Sequence, residues 1–136
     1  MSNEHAGEIS LHSESDIVTA RKTVRTVAGQ LGFGITDVTR IVTAASELAR
    51  NAFLYAGAGV MRWQVLTPGS GQGLELTFED KGPGIADIEQ ALREGYTTSG
   101  GLGLGLPGAK RLMDETEIHS EVGKGTTVVV RKWLRR

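Results

Sequence analysis

The sequence of 136 residues has no cysteine, and it is poor in aromatic residues, proline and histidine. Without cysteine the chain cannot form disulfides or a thiolate metal site, and nothing in it requires an oxidising compartment. The three histidines, His5, His12 and His119, lack metal-ligand spacing, which argues against a histidine-based metal site. A chain of this length is expected to fold around one core.

Long apolar runs and an excess of one charge are also missing. No stretch approaches the ~20 residues of a membrane span, and the first residues do not resemble a signal peptide, so we expect cytoplasmic residence and no membrane partner. A formal net charge of −1 gives no global field for nucleic acid. The basic residues near the C-terminal end are predicted to form a solvated tail; they are Arg131, Lys132, Arg135 and Arg136.

Apolar spacing predicts helices and strands that are grouped rather than strictly alternating. We expect a short strand near Ile9 and Leu11, a first helix capped by Ser15 and ended by Gly32, and a second helix capped by Thr36. The second helix has the clearest apolar stripe: Val38, Ile41, Val42, Ala45, Leu48, Ala49 and Ala52. Further strands are expected at 60–67, 74–80, 116–122 and 126–133, and helices at 86–94 and 106–115. This grouping favours an α+β two-layer sandwich.

Glycine is abundant, and in the segment 95–109, GYTTSGGLGLGLPGA, five glycines fall within residues 100–108. Glycine lets backbone N–H groups approach a ligand closely, so a glycine-rich segment before a helix is suited to holding phosphates. The spacing of Gly103, Gly105 and Gly108 matches the dinucleotide fingerprint, but a polar segment precedes it instead of a buried strand. The P-loop and protein-kinase motifs are absent. Taken alone, the segment also fits a flexible surface loop.

Two further positions carry polar groups in an informative pattern. Glu47 and Asn51 lie four residues apart on the second helix and share a face that points away from its apolar stripe. Asp80 has the same parity as Leu74, Leu76 and Phe78 in LELTFED, so its carboxylate points to the core side if the strand runs that far. The alternatives are a solvated helix face and an aspartate that simply begins a turn.

Together these segments resemble the GHKL ATPase and kinase superfamily. Residues 46–51, SELARN, resemble its N box, residues 80–85, DKGPGI, its first glycine box, and residues 101–105, GLGLG, its second. Gly125-Thr126-Thr127 resembles its final threonine motif. The match spans residues 36–130, and the short interval between Gly84 and Gly100 is similar to that of the anti-sigma-factor serine/threonine kinases, the switch kinases of stress signalling. Residues 1–14 lie outside the resemblance and are expected to form an N-terminal extension or edge strand, with one kinase domain at 15–136.

The resemblance implies the Bergerat ATP-binding fold, a mixed and mostly antiparallel sheet covered by helices on one face. It also implies a binding site for the base of ATP. Asp80 would accept a hydrogen bond from the adenine amino group, which selects adenine over guanine. Gly82 and Gly84 would let the backbone fold beside the base, and Thr126 would contact the ring directly or through water.

The same resemblance implies the phosphate and metal contacts. Asn51 would hold Mg²⁺ through its amide oxygen, and Glu47 would orient or deprotonate the attacking hydroxyl. The phosphates would be wrapped by Gly101, Gly103 and Gly105, with Ser99 and Gly100 as further candidates.

The function implied is a kinase that phosphorylates a serine or threonine on a STAS-domain antagonist and, once released, activates a serine phosphatase. One alternative is a nucleotide-dependent binding switch of the anti-sigma type, whose main output is binding. Another is the ATP-binding domain of a histidine kinase, but the helical hairpin with its phosphoaccepting histidine is not in the sequence.

Overall fold

A computed structural model describes residues 5–67, 71–82 and 105–134, without the side chains of 54–56. Five strands and three helices lie in these ranges. In chain order they are β1 (Ala6–Leu11), α1 (Glu14–Leu31), α2 (Ile35–Ala56), β2 (Gly59–Leu66), β3 (Gly73–Asp80), α3 (Gly105–Leu112), β4 (Glu115–Glu121) and β5 (Gly125–Trp133). The expected helix at 86–94 falls outside the described residues.

The strands form one sheet in the order β1-β2-β3-β5-β4, and every described pairing is antiparallel. Its inner face is apolar, because alternate residues of neighbouring strands meet there in register. Met61 pairs with Phe78 and Phe78 with Val128, and all three are buried. The α+β sandwich expected from the grouping of elements is therefore confirmed.

Helix α2 packs its apolar stripe on the inner face and forms the centre of the helical layer. Ile41, Ala45 and Ala49 are almost completely buried, and small residues such as alanine allow the helix to approach the sheet closely. Helix α1 packs beside α2 and against β1, while α3 packs against α2. All three helices thus lie in one layer over the inner face.

The predicted helix caps are wrong by two residues. Ser13, not Ser15, caps α1: its Oγ accepts from Asp16 N, and the Asp16 carboxylate accepts from His12 N. Because β1 ends at Leu11, the chain must begin α1 at once, which places Ser15 inside the first turn.

Gly34, not Thr36, is the N-cap of α2. Its backbone is extended and its carbonyl accepts from Val38 N, so Thr36 lies within the first turn. The expected end of α1 at Gly32 is confirmed, and α2 ends at Gly57; both glycines adopt the left-handed conformation of a helix C-cap. Helix α3 is shorter than expected, because Asp114 N already donates to the Arg131 carbonyl and the chain enters β4.

The basic tail predicted to be solvated is part of the sheet. Lys132 lies on the inner face of β5 and is 6 % exposed. Arg131 lies on the outer face, where its guanidinium contacts Glu75, Glu115 and Glu117. Arg135 and Arg136 lie outside the described residues. The prediction failed because apolar periodicity continues through β5 while two of its positions carry charges that are paired only in the folded sheet.

The outer face of the sheet, opposite the helices, is charged. Arg62 bonds Glu79 at 2.9 Å and lies 3.5 Å from Glu8, and the bond holds the pKa of the Glu79 carboxyl below its ordinary value. Arg131 lowers the pKa of Glu117 in the same way. Among the residues described, no helix is long and apolar enough to cross a membrane.

Candidate nucleotide site

The strand ends next to α2 bring Asp80 and Thr126 together. Strand β3 runs to Asp80, which pairs with Gly59 on one side and Thr126 on the other. Because Asp80 keeps the parity of buried Leu76 and Phe78, its side chain lies on the inner face, as the sequence pattern predicted. The carboxylate is therefore placed at the end of the sheet, under the helical layer.

Only one oxygen of the Asp80 carboxylate is used within the described part of the chain. Gly82 N donates to Asp80 Oδ1 at 2.9 Å, which fixes the bend that follows the strand. No hydrogen bond reaches Oδ2 from residues 5–67, 71–82 or 105–134. A half-buried carboxylate oxygen without a partner is costly, so the strand end presents an acceptor ready for a ligand.

Gly125 allows β5 to start against the end of β3. Its φ is +106°, and a Cβ atom built there would overlap the Asp80 carbonyl oxygen and lie 2.8 Å from Lys81 Cα. Only glycine fits both the left-handed backbone and this contact. The close approach holds Thr126 beside Asp80.

The Thr126 hydroxyl is oriented by Ser120 on β4. Ser120 Oγ donates to the Gly125 carbonyl at 3.0 Å, and it lies 2.9 Å from Thr126 Oγ1. Because a hydroxyl carries one proton, Thr126 Oγ1 donates in the second bond and keeps its lone pairs. Thr126, which is nearly buried, thus presents an acceptor at the same end of the sheet.

Helix α2 reaches the same strand end. A Cβ atom on Gly59 would lie 2.9 Å from Ala52 Cβ and 3.6 Å from Asp80 Cβ. The turn of α2 that contains Ala52 therefore crosses directly above the paired residues Gly59 and Asp80. Asn51 precedes Ala52, so the structure brings the N-box helix and Asp80 to one end of the sheet.

Glu47 and Asn51 are half-buried, unlike the fully solvated face that was the alternative. Neither side chain makes a hydrogen bond or ion pair with another described residue. Arg50, which directly precedes Asn51, does have a partner and lies 3.5 Å from Glu14. A carboxylate and an amide one helical turn apart, partly desolvated and without partners in the described ranges, form a site where a cation and a proton donor can be received.

The glycine candidates are only partly within the described residues. Gly82 forms the bend after β3, and Gly105 is the first residue of α3. The other predicted phosphate contacts and one residue of the first glycine box lie outside: Gly84, Ser99, Gly100, Gly101 and Gly103.

Two residues of this end of the sheet were missed by the sequence prediction as site residues. Ser120 carries no motif, and its importance follows only from the register that pairs it with Thr126. Gly125 belongs to the threonine motif, but its close approach to Asp80 appears only once β3 and β5 are adjacent.

Comparison with known proteins agrees with this architecture. Residues 36–136 match the model of the histidine kinase-, DNA gyrase B-, and HSP90-like ATPase family. The chain is 50% identical over 127 residues to the serine/threonine-protein kinase RsbT of Bacillus subtilis (strain 168), covering 93% of this chain and 96% of the relative. It is 34% identical to the anti-sigma F factor of Geobacillus kaustophilus (strain HTA426), covering 100% of this chain and 96% of that protein.

Solved structures show the same fold. The crystal structure of the RsbU and RsbW domains of Rv1364c from Mycobacterium tuberculosis matches with a TM-score of 0.68 and 22% identity, over 96% of this chain and 33% of that one. The mycobacterial sensor histidine kinase MprB matches with a TM-score of 0.56 and 16% identity, over 95% of this chain and 97% of that one. The chain therefore belongs to the histidine kinase-, DNA gyrase B- and HSP90-like ATPase family, and it is an ATP-dependent protein serine/threonine kinase similar to RsbT.

Proposed function

We propose that this kinase phosphorylates a serine or threonine of a STAS-domain antagonist protein in a partner-switching stress-signalling module. The observation that carries the proposal is the pair Glu47 and Asn51, half-buried and without partners in the described residues, on the helix that crosses above Asp80. The named activity of the relative that is 50% identical supports the reaction type.

The end of the sheet fits an adenine base. Asp80 Oδ2 and Thr126 Oγ1 are both acceptors, and the adenine amino group is a donor. Guanine would bring a carbonyl oxygen against the Asp80 carboxylate, leaving two acceptors face to face. Asp80 therefore selects adenine, and Ser120 supports the selection by directing the Thr126 proton away from the base.

The α2 pair fits the chemistry of phosphoryl transfer. Asn51 offers the amide oxygen that Mg²⁺ accepts as a ligand, and Gly105, with the glycine-rich segment before it, offers backbone N–H groups to the phosphates. When bound, ATP supplies the γ-phosphoryl group. Glu47 would orient the hydroxyl of the substrate protein and accept its proton.

The output of the module is a change of protein partner. Phosphorylation of the antagonist releases the kinase, which then activates a serine phosphatase. A second candidate is a switch whose output is nucleotide-dependent binding alone, and the 34% identity to an anti-sigma F factor favours it as the alternative.

Measuring both ATP affinity and turnover in two isosteric variants tests whether Glu47 acts in phosphotransfer and Asp80 in nucleotide binding. Glu47→Gln removes the base but keeps the shape of α2, so we expect ATP affinity within about threefold of the unaltered chain and turnover lower by about 10²- to 10⁴-fold. Asp80→Asn keeps an oxygen for Gly82 N and places an NH₂ group at Oδ2, so we expect ATP affinity to fall by about tenfold to a hundredfold.

Calorimetric titration with Mg-ATP and a phosphotransfer assay provide the two readouts. Glu121→Gln is the matched control, since Glu121 is exposed and bonds only Lys124 among the described residues. Equal loss of affinity and turnover in Glu47→Gln would refute its assignment as the base. If Glu47→Gln loses phosphotransfer and still activates the phosphatase fully in the presence of antagonist, the binding switch is the correct function.

A further inference from the structure

Lys132 is a buried cation shared by three elements of the kinase. Its Nζ donates to the Leu112 carbonyl at 3.1 Å and to Asp114 Oδ1 at 3.3 Å, and it lies 3.8 Å from Asp37 Oδ1. Leu112 is the last residue of α3, Asp114 lies between α3 and β4, and Asp37 is in the first turn of α2. One ammonium group on β5 therefore joins the ends of two helices.

Burial of this charge is not explained by stability alone. Removing an ammonium from water costs several kcal/mol, and well-packed apolar residues often replace buried ion pairs without loss. What the cation supplies is a fixed geometry, because its three acceptors must converge on one point. The sheet position itself calls for an apolar residue, since the neighbouring inner-face residues Leu74 and Val130 are completely buried.

The C-terminal end of α3 is bonded to three consecutive residues of β5. The Leu112 carbonyl would otherwise be one of the unsatisfied groups of a helix end, and a cation there also complements the helix dipole. Asp114 N donates to the Arg131 carbonyl at 2.9 Å, and Trp133 N donates to Asp114 Oδ2 at 2.8 Å. Because α3 has eight residues, only about 12 Å separate this fixed end from Gly105.

The contact with Asp37 also links Lys132 to the first turn of α2. Helix α2 carries Glu47 and Asn51, and α3 packs against it through an interface that includes buried Ala109. Fixing the C-terminal end of α3 and the N-terminal end of α2 to one atom sets the direction of α3 relative to the helix of the proposed base.

We infer that Lys132 is a positioning residue for phosphoryl transfer, which orients α3 so that its first residue, Gly105, meets the phosphates opposite Glu47 and Asn51. The inference rests on the proposed function and adds to it a residue that binds the end of α3 opposite Gly105. Asp80 and Thr126 lie at the opposite end of β3 and β5 from Lys132. Adenine recognition therefore does not depend on Lys132, whereas phosphate recognition does.

The ratio of ATP affinity to AMP affinity separates recognition of the adenine base from recognition of the β- and γ-phosphates, because AMP lacks those two phosphates. Lys132→Met keeps the length of the side chain and removes the charge, and we expect it to bind AMP within twofold of the unaltered chain. We expect its affinity for Mg-ATP to fall about tenfold and kcat to fall by a further tenfold to a hundredfold, because small displacements in a transfer site are costly. Asp114→Asn keeps an acceptor for Trp133 N but weakens the contact with Lys132. Its ratio of ATP affinity to AMP affinity should therefore also fall, but by less than in Lys132→Met.

Lys22→Met is the matched control, since Lys22 is exposed on α1 and should leave both affinities and kcat unchanged. Circular dichroism of every variant checks that the measurements are made on folded protein. A folded Lys132→Met with the unaltered ratio and kcat would overturn the inference. If Lys132→Met does not fold, an unaltered ratio and kcat in Asp114→Asn would overturn it instead. If the unaltered chain binds AMP as tightly as ATP, both this inference and the proposed phosphate contacts are wrong. That failure can be told apart from the others because it appears without any substitution.

Discussion

Among single residues, Gly123 and Gly125 at the β4–β5 turn are restricted to glycine by different physical constraints. Gly123 and Gly125 both have left-handed backbones, with φ of +82° and +106°. A Cβ atom on Gly123 would meet nothing within 4 Å, whereas one on Gly125 would overlap the end of β3. Only the second glycine couples the turn to Asp80.

Replacing each of these glycines with alanine should therefore give unequal losses. Gly123→Ala should lower the free energy of unfolding by about 1–2 kcal/mol, the cost of a left-handed alanine. Gly125→Ala should lose about 1–3 kcal/mol more through overpacking, and its ATP affinity should fall because Asp80 is displaced. Urea unfolding and calorimetry measure both. Equal stability losses, with ATP affinity preserved in Gly125→Ala, would show that the close approach has no role in binding.

The direction of the Asp80 side chain could be predicted from sequence, while the support of Thr126 could not. Side-chain parity along a strand is local, so LELTFED places Asp80 on the core side provided that the strand runs to Asp80, as it does in the structure. The Ser120–Thr126 bond depends on the register between β4 and β5, which residue types in an isolated segment do not specify. Pairing Ser120 with Thr126 requires the folded sheet.

Among whole elements, the bodies of the helices were predictable and their first residues were not. The stripe through Ile41, Leu48 and Ala52 fixes the buried face of α2, because burial of apolar area is the dominant stabilising term. A cap contributes about 1 kcal/mol, so nearby residues of similar type compete for it. Gly34 therefore begins α2 although Thr36 is the better capping residue by type.

A side-chain cap at Gly34 should stabilise the kinase. Its extended backbone suits an N-cap, and a Cβ atom there would meet nothing within 4 Å. We expect Gly34→Ser to raise the free energy of unfolding by about 0.5–1 kcal/mol, from the new cap and from a less flexible unfolded chain. Gly32→Ser is the control, because φ of +98° disfavours serine there and should make that variant less stable. Chemical denaturation measures the free energy of unfolding of both variants. A lower value for Gly34→Ser than for Gly32→Ser would show that the new side chain does not cap α2.

The role of Lys132 at the level of elements was hidden from the sequence. A basic residue near the C-terminal end resembles a solvated tail until α3 is placed above β5. Its partners come from two other parts of the chain, near Asp37 and Asp114, and sequence spacing does not bring them together. Long-range ionic contacts of this kind are specified by packing rather than by local pattern.

Over the whole molecule, the two faces of the sheet have opposite characters. The inner face is mostly apolar and ends in the proposed nucleotide site, while the outer face carries clusters of charged side chains. On the outer face Arg62 pairs with two glutamates and Arg131 with three, and Trp133 Nε1 donates to Glu115 Oε2 at 2.6 Å. Charge pairing on the outer face should therefore affect stability and its pH dependence without changing adenine binding.

Acid should destabilise the kinase partly through this face. Arg131 lowers the folded-state pKa of Glu117 below its ordinary value of 4.5, and Arg62 does the same for Glu79. A depressed folded pKa adds stability above the unfolded pKa, and this stability is lost as the pH falls through the folded pKa. Arg131→Gln should therefore lower Tm at pH 7 and make the further fall in Tm between about pH 5 and pH 3 shallower than in the unaltered chain.

Thermal melts across that pH range, with Lys124→Gln as the control for an exposed pair, check this prediction. A steeper or unchanged acid dependence in Arg131→Gln would contradict the assignment of acid sensitivity to the Arg131 cluster.

In the proposed function, Glu47 serves phosphotransfer from ATP to a partner protein. The most direct measurement is the intact mass of a STAS-domain protein encoded beside this gene, after incubation with Mg-ATP and the kinase. We expect a gain of one phosphate with the unaltered chain and none with Glu47→Gln, although both chains bind ATP. No gain with the unaltered chain while the two proteins still form a complex, or an equal gain with both chains, would contradict it.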